Sequence, residues 1–359
     1  MEDYLVVGLG LAGMAFCEIL ERNGKSFRVI DDDSQKASRV AGGIYNPVVL
    51  KRLNKAWKAD KQLPLVAPFY SRLEQKLHLP LHYNETIFRR FASAEEQNLW
   101  FEAADSPSLQ AYLAPHIRQN TNTALNAAFG FGEVLGTGRV DTNTLLIAYS
   151  AYLQSKELLI RTNFEYNNLE CKAGYVSYKG LKAGKIVFAT GFGLVQNPYF
   201  NYLPLQGNKG EYLEIISPEL REKHIIKAAV FLIPLGGDRY LTGASYDWKD
   251  KTPAPTPVAR KYLLEKLDEL LLCPYKVAGQ VAGIRPTVPD RRPLLGQHPT
   301  YKNMYMINGF GSRGVMIAPY AAMSLFNITE YEKPPDPEMD IRRYAARFVS
   351  GRQHGGRNG

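Results

Sequence analysis

Three glycines and one aspartate near the start of the chain are spaced as a phosphate-binding turn requires. Gly8, Gly10 and Gly13 form a GxGxxG pattern, and Asp31 follows at the separation typical of dinucleotide folds. In such a pattern the first glycine permits a tight turn, the second lets a pyrophosphate approach the backbone, and the third lets a helix pack on a strand. The aspartate carboxylate can accept a hydrogen bond from a ribose hydroxyl. The alternative is an ordinary strand–helix–strand start without a nucleotide.

The segments around these residues predict the elements that would position them. Residues 4–7 are apolar and indicate a buried strand, and residues 14–23 have helical spacing that Gly24 can end. Residues 27–30 predict a second strand, which ends at Asp31. The predicted helix N-terminus offers free N–H groups and a partial positive charge to phosphates. The whole unit therefore predicts a dinucleotide site more strongly than the glycines do alone.

Length and composition indicate a globular protein with a substantial core. The chain has 359 residues, of which 45% are hydrophobic and 22% charged, and this length allows two domains. Its three cysteines, Cys17, Cys171 and Cys273, lie far apart and none has CxxC spacing. Such usage argues against a disulfide framework and indicates a reducing compartment. We expect a cytoplasmic protein.

The first apolar stretch does not have the features of a membrane segment. Residues 4–20 are apolar, but Glu2 and Asp3 precede them where a signal peptide has positive charge. Glu18 interrupts the stretch, which is also shorter than the roughly 20 residues needed to span a bilayer. We therefore expect no membrane partner.

The chain is basic. Its 44 lysines and arginines exceed its 35 acidic residues and give a net charge of +9. If residues 51–61 are helical, five basic side chains fall largely on one face: Lys51, Arg52, Lys55, Lys58 and Lys61. Arginines also concentrate near the C-terminus, where the glycine-rich residues 350–359 predict a disordered tail. Both a phosphate-rich partner and a merely solvated surface are compatible with this charge.

Other segments predict elements of two kinds of sheet. We expect a helix over residues 51–77, broken at Pro64 and Pro68, and a hairpin over residues 129–140. Further helices are predicted at residues 94–104, 142–154, 258–272 and from 315 onward, and further strands at 185–188 and 304–307. Residues 230–234 and 240–246 predict a hairpin of two antiparallel strands, and residues 281–296 predict a strand–turn–strand. His78 and His82 have helical spacing, but Pro80 lies between them, so we expect no metal site there.

Taken in order, seven motifs resemble the FAD-dependent D-amino acid oxidase superfamily, which includes glycine oxidase and sarcosine oxidase. They are VVGLGLAG, SRVAGGI, FATG, LPLQGNKGEYLEI, YLTGASYD, VAGIRPTVPDRRPLLG and NGFGSRGVMIAP. The sequences of the last three motifs resemble those of the flavin domain of the bifunctional tRNA 5-methylaminomethyl-2-thiouridine biosynthesis proteins. Together the motifs span nearly the whole chain.

The resemblance implies a mixed α/β fold of two interleaved domains. A Rossmann-type FAD-binding domain with a parallel sheet would take residues 1–50, 139–207 and 283–349. A substrate domain built on an antiparallel sheet would take residues 51–138 and 208–282.

The resemblance also implies bound FAD, and we expect it to be noncovalent because no cysteine supports the link found in some sarcosine oxidases. The residues it places at the cofactor are Gly8, Gly10, Leu11, Ala12, Gly13, Asp31, Asp32, Ser38, Gly42, Gly43, Thr190, Gly191, Gly311, Ser312, Arg313, Gly314 and Val315.

Arg285 is the catalytic-site residue that the resemblance assigns most specifically. The family's arginine at this motif position holds the substrate carboxylate, and a planar guanidinium suits that role because it makes two parallel hydrogen bonds. The alternative is a structural pair between Arg285 and Asp290. Tyr246 would line the substrate pocket or belong to the core or rim. Arg313 would touch an acidic substrate group or tie down its loop.

The implied reaction is oxidation of the C–N bond of a small amine that carries a carboxylate. Hydride would pass to flavin N5, and water would hydrolyse the imine. One alternative shares this chemistry but acts on tRNA, removing a carboxymethyl group from carboxymethylaminomethyluridine. Another, of a different class, is a noncatalytic or NAD-binding Rossmann protein.

Overall fold

A computed structural model describes residues 1–349, so the predicted tail at 350–359 lies outside the described residues. The helices are α1 Leu11–Arg22, α2 Ala59–Leu77, α3 Ala94–Asp105, α4 Thr142–Ser155, α5 Pro257–Asp268 and α6 Gly314–Tyr331. The strands are β1 Glu2–Val7, β2 Phe27–Ile30, β3 Ile44–Tyr45, β4 Val48–Val49, β5 Asn54–Lys55, β6 His82–Tyr83, β7 Ile87–Arg90, β8 Leu113–Arg118, β9 Phe131–Val134, β10 Gly138–Val140, β11 Leu159–Ile160, β12 Leu169–Lys172, β13 Tyr175–Tyr178, β14 Leu181–Phe188, β15 Gln206–Ile216, β16 Ile225–Lys227, β17 Phe231–Gly236, β18 Arg239–Gly243, β19 Lys276–Thr287, β20 Leu294–Gln297 and β21 Met304–Asn308.

The chain divides into two compact units, each made of separate stretches of sequence. The first unit contains Met1–Arg39, Asn143–Asn208 and the chain from Ile284 onward. The second contains Val40–Thr142 and Lys209–Gly283. The chain therefore passes between the two units four times.

The first unit is built on a parallel sheet that carries a helix at the end of its first strand. β11, β2, β1, β14 and β21 are neighbours in that order and run parallel. Val7 pairs with both Ile30 and Phe188, so three strands end at the same edge. The last four residues of β1 are all buried, as expected of a parallel strand covered on both faces. α1 and α6 pack against each other.

The second unit is built on an eight-stranded sheet in the order β19, β15, β18, β17, β16, β7, β9 and β8. From β15 to β8 the neighbours are antiparallel except for the parallel pair of β16 and β7. Buried Trp100 of α3 packs beneath this sheet region, and its indole N–H donates to the Ala114 carbonyl at 2.9 Å. A parallel and a mainly antiparallel sheet confirm the predicted fold class.

Several predicted elements are confirmed with small changes at their ends. The hairpin of β17 and β18 forms with paired antiparallel strands. The helices α3, α4, α5 and α6 and the strand β21 occur where the periodicity indicated. Among the described residues there is no helix with the length and apolar character needed to cross a membrane.

Two predictions about the second unit are wrong. Residues 129–140 do not form a hairpin, because β9 pairs on both sides with β7 and β8 while β10 joins β3 and β6 in another sheet. α2 continues through Pro64 and Pro68 instead of breaking. Its buried residues, which include Phe69 and Tyr70, provide packing that outweighs the cost of about 3 kcal/mol for a proline inside a helix.

The basic residues at positions 51–61 do not share one helical face. Lys51 and Arg52 lie in the turn between β4 and β5, and Lys55 ends β5. Lys58 is the residue before α2, so only Lys61 of this group lies within the helix. The spacing of these charges is compatible with a helix, but the helix itself begins only at Ala59, and the prediction failed for that reason.

Candidate active site

The first glycine turn has no space for side chains. β1 ends at Val7, and Gly8 follows with φ +98°, a conformation that residues with a Cβ rarely adopt. A Cβ on Gly8 would lie 2.5 Å from the carbonyl oxygen of Ala189. A Cβ on Gly13 would lie 2.0 Å from the carbonyl oxygen of Gly8. The close packing of α1 on this turn therefore requires glycine at both positions.

The N-terminus of α1 is open to an anion. In the described part of the chain no side chain caps this helix at Gly10. The Leu11 N–H donates to Ser38 Oγ at 3.2 Å, so Ser38 reaches the turn as predicted. Ala12 and Gly13 complete the first turn of the helix, where backbone N–H groups and the helix dipole favour negative charge.

Asp31 is held as a hydrogen-bond acceptor at the end of β2. The Leu9 N–H donates to its Oδ1 at 2.9 Å, which joins the aspartate to the glycine turn. Arg161 Nη1 donates to its Oδ2 at 2.6 Å. Arg161 follows β11, the neighbour of β2, and sequence reasoning missed it. Asp32 lies beside this group and its Oδ1 accepts from the Ser34 N–H at 2.9 Å.

The turn after β14 contains a buried hydroxyl group without a partner. The Ala189 N–H donates to the Val7 carbonyl at 2.7 Å, which places this turn beside Gly8. Within the described residues, the buried Thr190 Oγ1 has no hydrogen-bond partner. The carbonyl of Gly191 accepts from Asn308 Nδ2 at 2.8 Å. Because buried polar atoms normally have partners, Thr190 Oγ1 indicates a position that a ligand can complete.

The loop before α6 lies close to the first glycine turn. A Cβ on Gly314, the first residue of α6, would lie 3.1 Å from Leu11 Cδ1. The N-cap residue of α6 is Arg313, whose side chain does not cap the helix. Gly311 and Ser312 precede this cap and Val315 lies in the first helical turn. Two helix N-termini thus begin near each other in the first unit.

Arg285 is oriented by a buried amide. Its Nη1 donates to Asn208 Oδ1 at 2.8 Å, and Asn208 is buried. Two residues further along β19, Thr287 Oγ1 donates to the Gln206 carbonyl at 2.8 Å, so the two segments are joined twice. The carbonyl of Pro286, next to Arg285, accepts from the Gly311 N–H at 2.9 Å. Arg285 is therefore connected to the loop before α6.

The alternative pair of Arg285 with Asp290 does not form in the described structure. Asp290 Oδ2 accepts instead from Arg343 Nε at 3.0 Å and from the Tyr344 hydroxyl at 2.8 Å. Sequence reasoning missed Asn208, although it lies within the recognised motif LPLQGNKGEYLEI. A polar residue inside an otherwise buried strand was the available signal.

Three predicted site residues belong to the second unit. Gly42 lies against the side chain of Ile233, and Gly43 lies against the carbonyl of Val140. Tyr246 is 67% exposed. The assignment of these residues to the cofactor or the substrate stays a prediction.

Comparison with known families agrees with this geometry. The model of the DAO family, described as FAD dependent oxidoreductase, matches residues 3–327. The chain belongs to this family. The DAO-family protein is thus an FAD-dependent oxidoreductase.

Individual relatives of this DAO-family protein are distant. It is 24% identical to the tRNA 5-methylaminomethyl-2-thiouridine biosynthesis bifunctional protein MnmC of Burkholderia mallei, over 89% of this chain and 55% of that protein. The chain thus spans about half the length of the curated relatives it matches. Glycine oxidase from Bacillus cereus has a similar fold, with a TM-score of 0.74, 19% identity and coverage of 93% of this chain and 96% of that chain. Iminodiacetate oxidase from Chelativorans sp. BNC1 also gives a TM-score of 0.74, with 18% identity over 95% of this chain and 98% of that chain.

The residues of the first unit fit FAD. The glycine turn has no room for a Cβ at Gly8 or Gly13, Thr190 Oγ1 lacks a partner in the described structure, and the N-cap residues Gly10 and Arg313 provide no side-chain cap. The turn at the start of α1 suits the pyrophosphate, and Asp31 suits a ribose hydroxyl. The N-terminus of α6 suits a group that becomes negatively charged.

Proposed function

We propose that this protein oxidises the C–N bond of a small amine that carries a carboxylate, either an amino acid or an N-substituted glycine. The observation that supports this most directly is Arg285, whose guanidinium is oriented by buried Asn208. A guanidinium fork binds a carboxylate through two charge-assisted hydrogen bonds. The next residue in the chain is bonded to the loop before α6. Such a position suits a residue that orients substrate.

In this mechanism the protein mainly binds and orients. FAD supplies the acceptor for the hydride that leaves the substrate carbon. Arg285 holds the carboxylate, and Asn208 fixes the plane of its guanidinium through Nη1. Correct orientation can contribute several kcal/mol to catalysis. The N–H groups at the start of α6 stabilise negative charge that develops near them, and the imine product hydrolyses in water.

The first test is replacement of Arg285 by leucine. We expect the KM for a carboxylated amine to rise about 100-fold or more, because hydrogen bonds to a charged group contribute about 1.5–3 kcal/mol each. FAD should remain bound, as measured by flavin absorbance of the purified protein. Arg292→Leu is the matched control, since the partly exposed Arg292 side chain pairs with exposed Glu338. An unchanged KM in Arg285→Leu would refute the assigned role.

A second candidate substrate is the same kind of amine carried on RNA. The relatives at 24% identity are named for tRNA 5-methylaminomethyl-2-thiouridine biosynthesis, and the net charge of +9 favours a phosphate-rich partner. The reaction would remove a carboxymethyl group from carboxymethylaminomethyluridine. Arg285 would bind the carboxylate of that group in the same way.

One assay separates these candidates. The FAD-loaded protein is kept anaerobic and mixed with small amino acids, N-methyl glycines or tRNA that carries carboxymethylaminomethyluridine. Loss of flavin absorbance identifies the substrate that is oxidised. Bleaching by small amines alone would support the first candidate, and bleaching by the tRNA alone would support the second. If neither bleaches the flavin, both are wrong.

A further inference from the structure

The loop between β18 and α5, residues 245–256, is anchored by a buried lysine. Lys209 of β15 is completely buried. Its Nζ donates to Asp250 Oδ2 at 2.5 Å, to Thr252 Oγ1 at 3.3 Å and to the Ala254 carbonyl. A buried ammonium group is costly unless such partners surround it. The middle of the loop is therefore held in one conformation.

Glu211, two residues further along β15, holds both ends of the same loop. Its Oε2 accepts from the Thr256 N–H at 2.8 Å and its Oε1 accepts from Thr256 Oγ1 at 2.7 Å. Gln280 Nε2 donates to Oε2 at 2.8 Å. The Glu211 N–H donates to Ser245 Oγ at 3.0 Å. The loop is thus fixed at its start, middle and end.

This fixed loop exposes two large aromatic side chains. Tyr246 is 67% exposed and Trp248 is 55% exposed. They flank Asp247, whose backbone exchanges two hydrogen bonds with Lys209, at 2.8 and 2.9 Å. Tyr246 comes directly before this bridge and Trp248 directly after it, where the chain bends. Exposed aromatic rings on a rigid support are typical of a recognition surface.

Once Asp250 is paired with Lys209, the loop keeps two lysines and one aspartate, a net charge of +1. Asp247 Oδ1 accepts from the backbone N–H groups of Lys249 and Asp250, at 2.6 and 3.1 Å. Asp250 also pairs with Lys209, whereas Asp247 is exposed. Lys249 is exposed, and Lys251 Nζ donates to the Trp248 carbonyl. Two ammonium groups therefore accompany the two rings.

We propose that Tyr246, Trp248, Lys249 and Lys251 form a platform that binds single-stranded RNA. Aromatic side chains stack on bases of any sequence, and adjacent lysines neutralise backbone phosphates. This inference rests on the second candidate function, in which the amine is carried on RNA. It gives Tyr246 a role in RNA binding instead of the predicted role in lining a small-substrate pocket.

The test measures RNA binding by the full-chain, FAD-loaded protein. A fluorescein-labelled single-stranded oligouridylate is titrated and followed by fluorescence anisotropy. We expect Trp248→Ala to weaken binding about 5- to 100-fold, the range for losing one base stack, and Trp248→Phe to retain most of it. Tyr331→Ala is the matched control, because Tyr331 of the first unit is 68% exposed, and its affinity should equal that of the wild type.

A second readout reports stacking itself. The chain has three tryptophans, and bases stacked on Trp248 should quench tryptophan fluorescence in the wild type but not in Trp248→Phe. Equal affinity of wild type and Trp248→Ala would overturn the platform, as would equal quenching in wild type and Trp248→Phe. Anaerobic bleaching by a free amine is measured separately on the wild type. Bleaching without RNA binding would overturn the platform but leave the proposed oxidation of a free amine intact. Trp248-dependent RNA binding without bleaching by any amine or tRNA would support the platform and overturn the proposed oxidation.

Discussion

At the residue scale, the candidate site depends on two residues that together bind a carboxylate. Arg285 supplies the charge for a carboxylate, and buried Asn208 fixes the direction of the guanidinium through the bond at 2.8 Å. A guanidinium that can rotate must be ordered when substrate binds. The cost of this ordering removes part of the binding free energy that two parallel hydrogen bonds provide. Asn208 is in this sense a positioning residue.

We predict that Asn208→Ala raises the KM for a carboxylated amine about 10-fold and changes kcat less, because it disturbs the residue that holds substrate. The decisive measurement is a double-mutant cycle with Arg285→Leu. If Asn208 acts through Arg285, adding Asn208→Ala to Arg285→Leu should produce no further rise in KM. Fully additive effects would show that Asn208 acts elsewhere.

Residue pairs of this kind could not be predicted from the sequence. Gly13 and Asp31 were predictable because their contacts, to Gly8 and Leu9, lie within one short strand–helix–strand unit. Arg161 lies 130 positions from Asp31, and Asn208 lies 77 positions from Arg285. Such contacts form only when separate strands pair in the sheet.

At the element scale, α1 and α6 begin close to each other beside the glycine turn, and they pack against each other. The periodicity of the sequence predicted both helices. It failed for α2 and for residues 129–140, where packing outweighed the local signals of proline and glycine.

The position of α1 against β1 should control cofactor binding. We predict that Gly13→Ala abolishes or strongly reduces bound FAD, because the new Cβ would lie 2.0 Å from the Gly8 carbonyl oxygen and must move the helix. The ratio of flavin to protein absorbance measures the effect. Gly279→Ala is the control, since no atom lies within 4 Å of its added Cβ. Normal FAD content in Gly13→Ala would contradict the predicted role of this turn.

The other end of α6 makes the stability of the first unit depend on pH. Although burial raises the pKa of Glu330, hydrogen bonds from Lys185, Lys25 and Tyr4 lower it to about 2. A carboxyl group with a lowered pKa stabilises the fold above its ordinary value of about 4.5 and loses that contribution as the pH falls toward 2.

We therefore predict that Glu330→Gln lowers the free energy of unfolding by about 1–3 kcal/mol at neutral pH. The difference from wild type should shrink as the pH falls from about 4.5 toward 2, because the wild-type carboxyl group is then protonated too. Denaturant unfolding at several pH values measures this, with Glu332→Gln as an exposed control. A difference that is constant with pH would contradict the assigned ion pairs.

At the scale of the whole molecule, the motifs predicted a parallel and an antiparallel sheet in interleaved segments, and both sheets are present. The order of the strands was not predictable, because β14 joins partners from the start, the middle and the end of the chain. The motif order carried information about the family that hydrophobic periodicity alone does not contain.

The net charge of +9 is also a property of the whole chain, and it leads to a prediction about RNA binding. If RNA contacts the two ammonium groups of the platform through its phosphates, affinity should fall about 7-fold between about 50 and 200 mM salt. Lys249→Met should make the logarithmic salt slope shallower by about 0.7, the value for one phosphate of a single strand, whereas Trp248→Ala should lower affinity with little change in slope. Anisotropy titrations at several salt concentrations measure both effects. Affinity that does not vary with salt would exclude the phosphate contacts, and with them the electrostatic argument for an RNA-borne substrate.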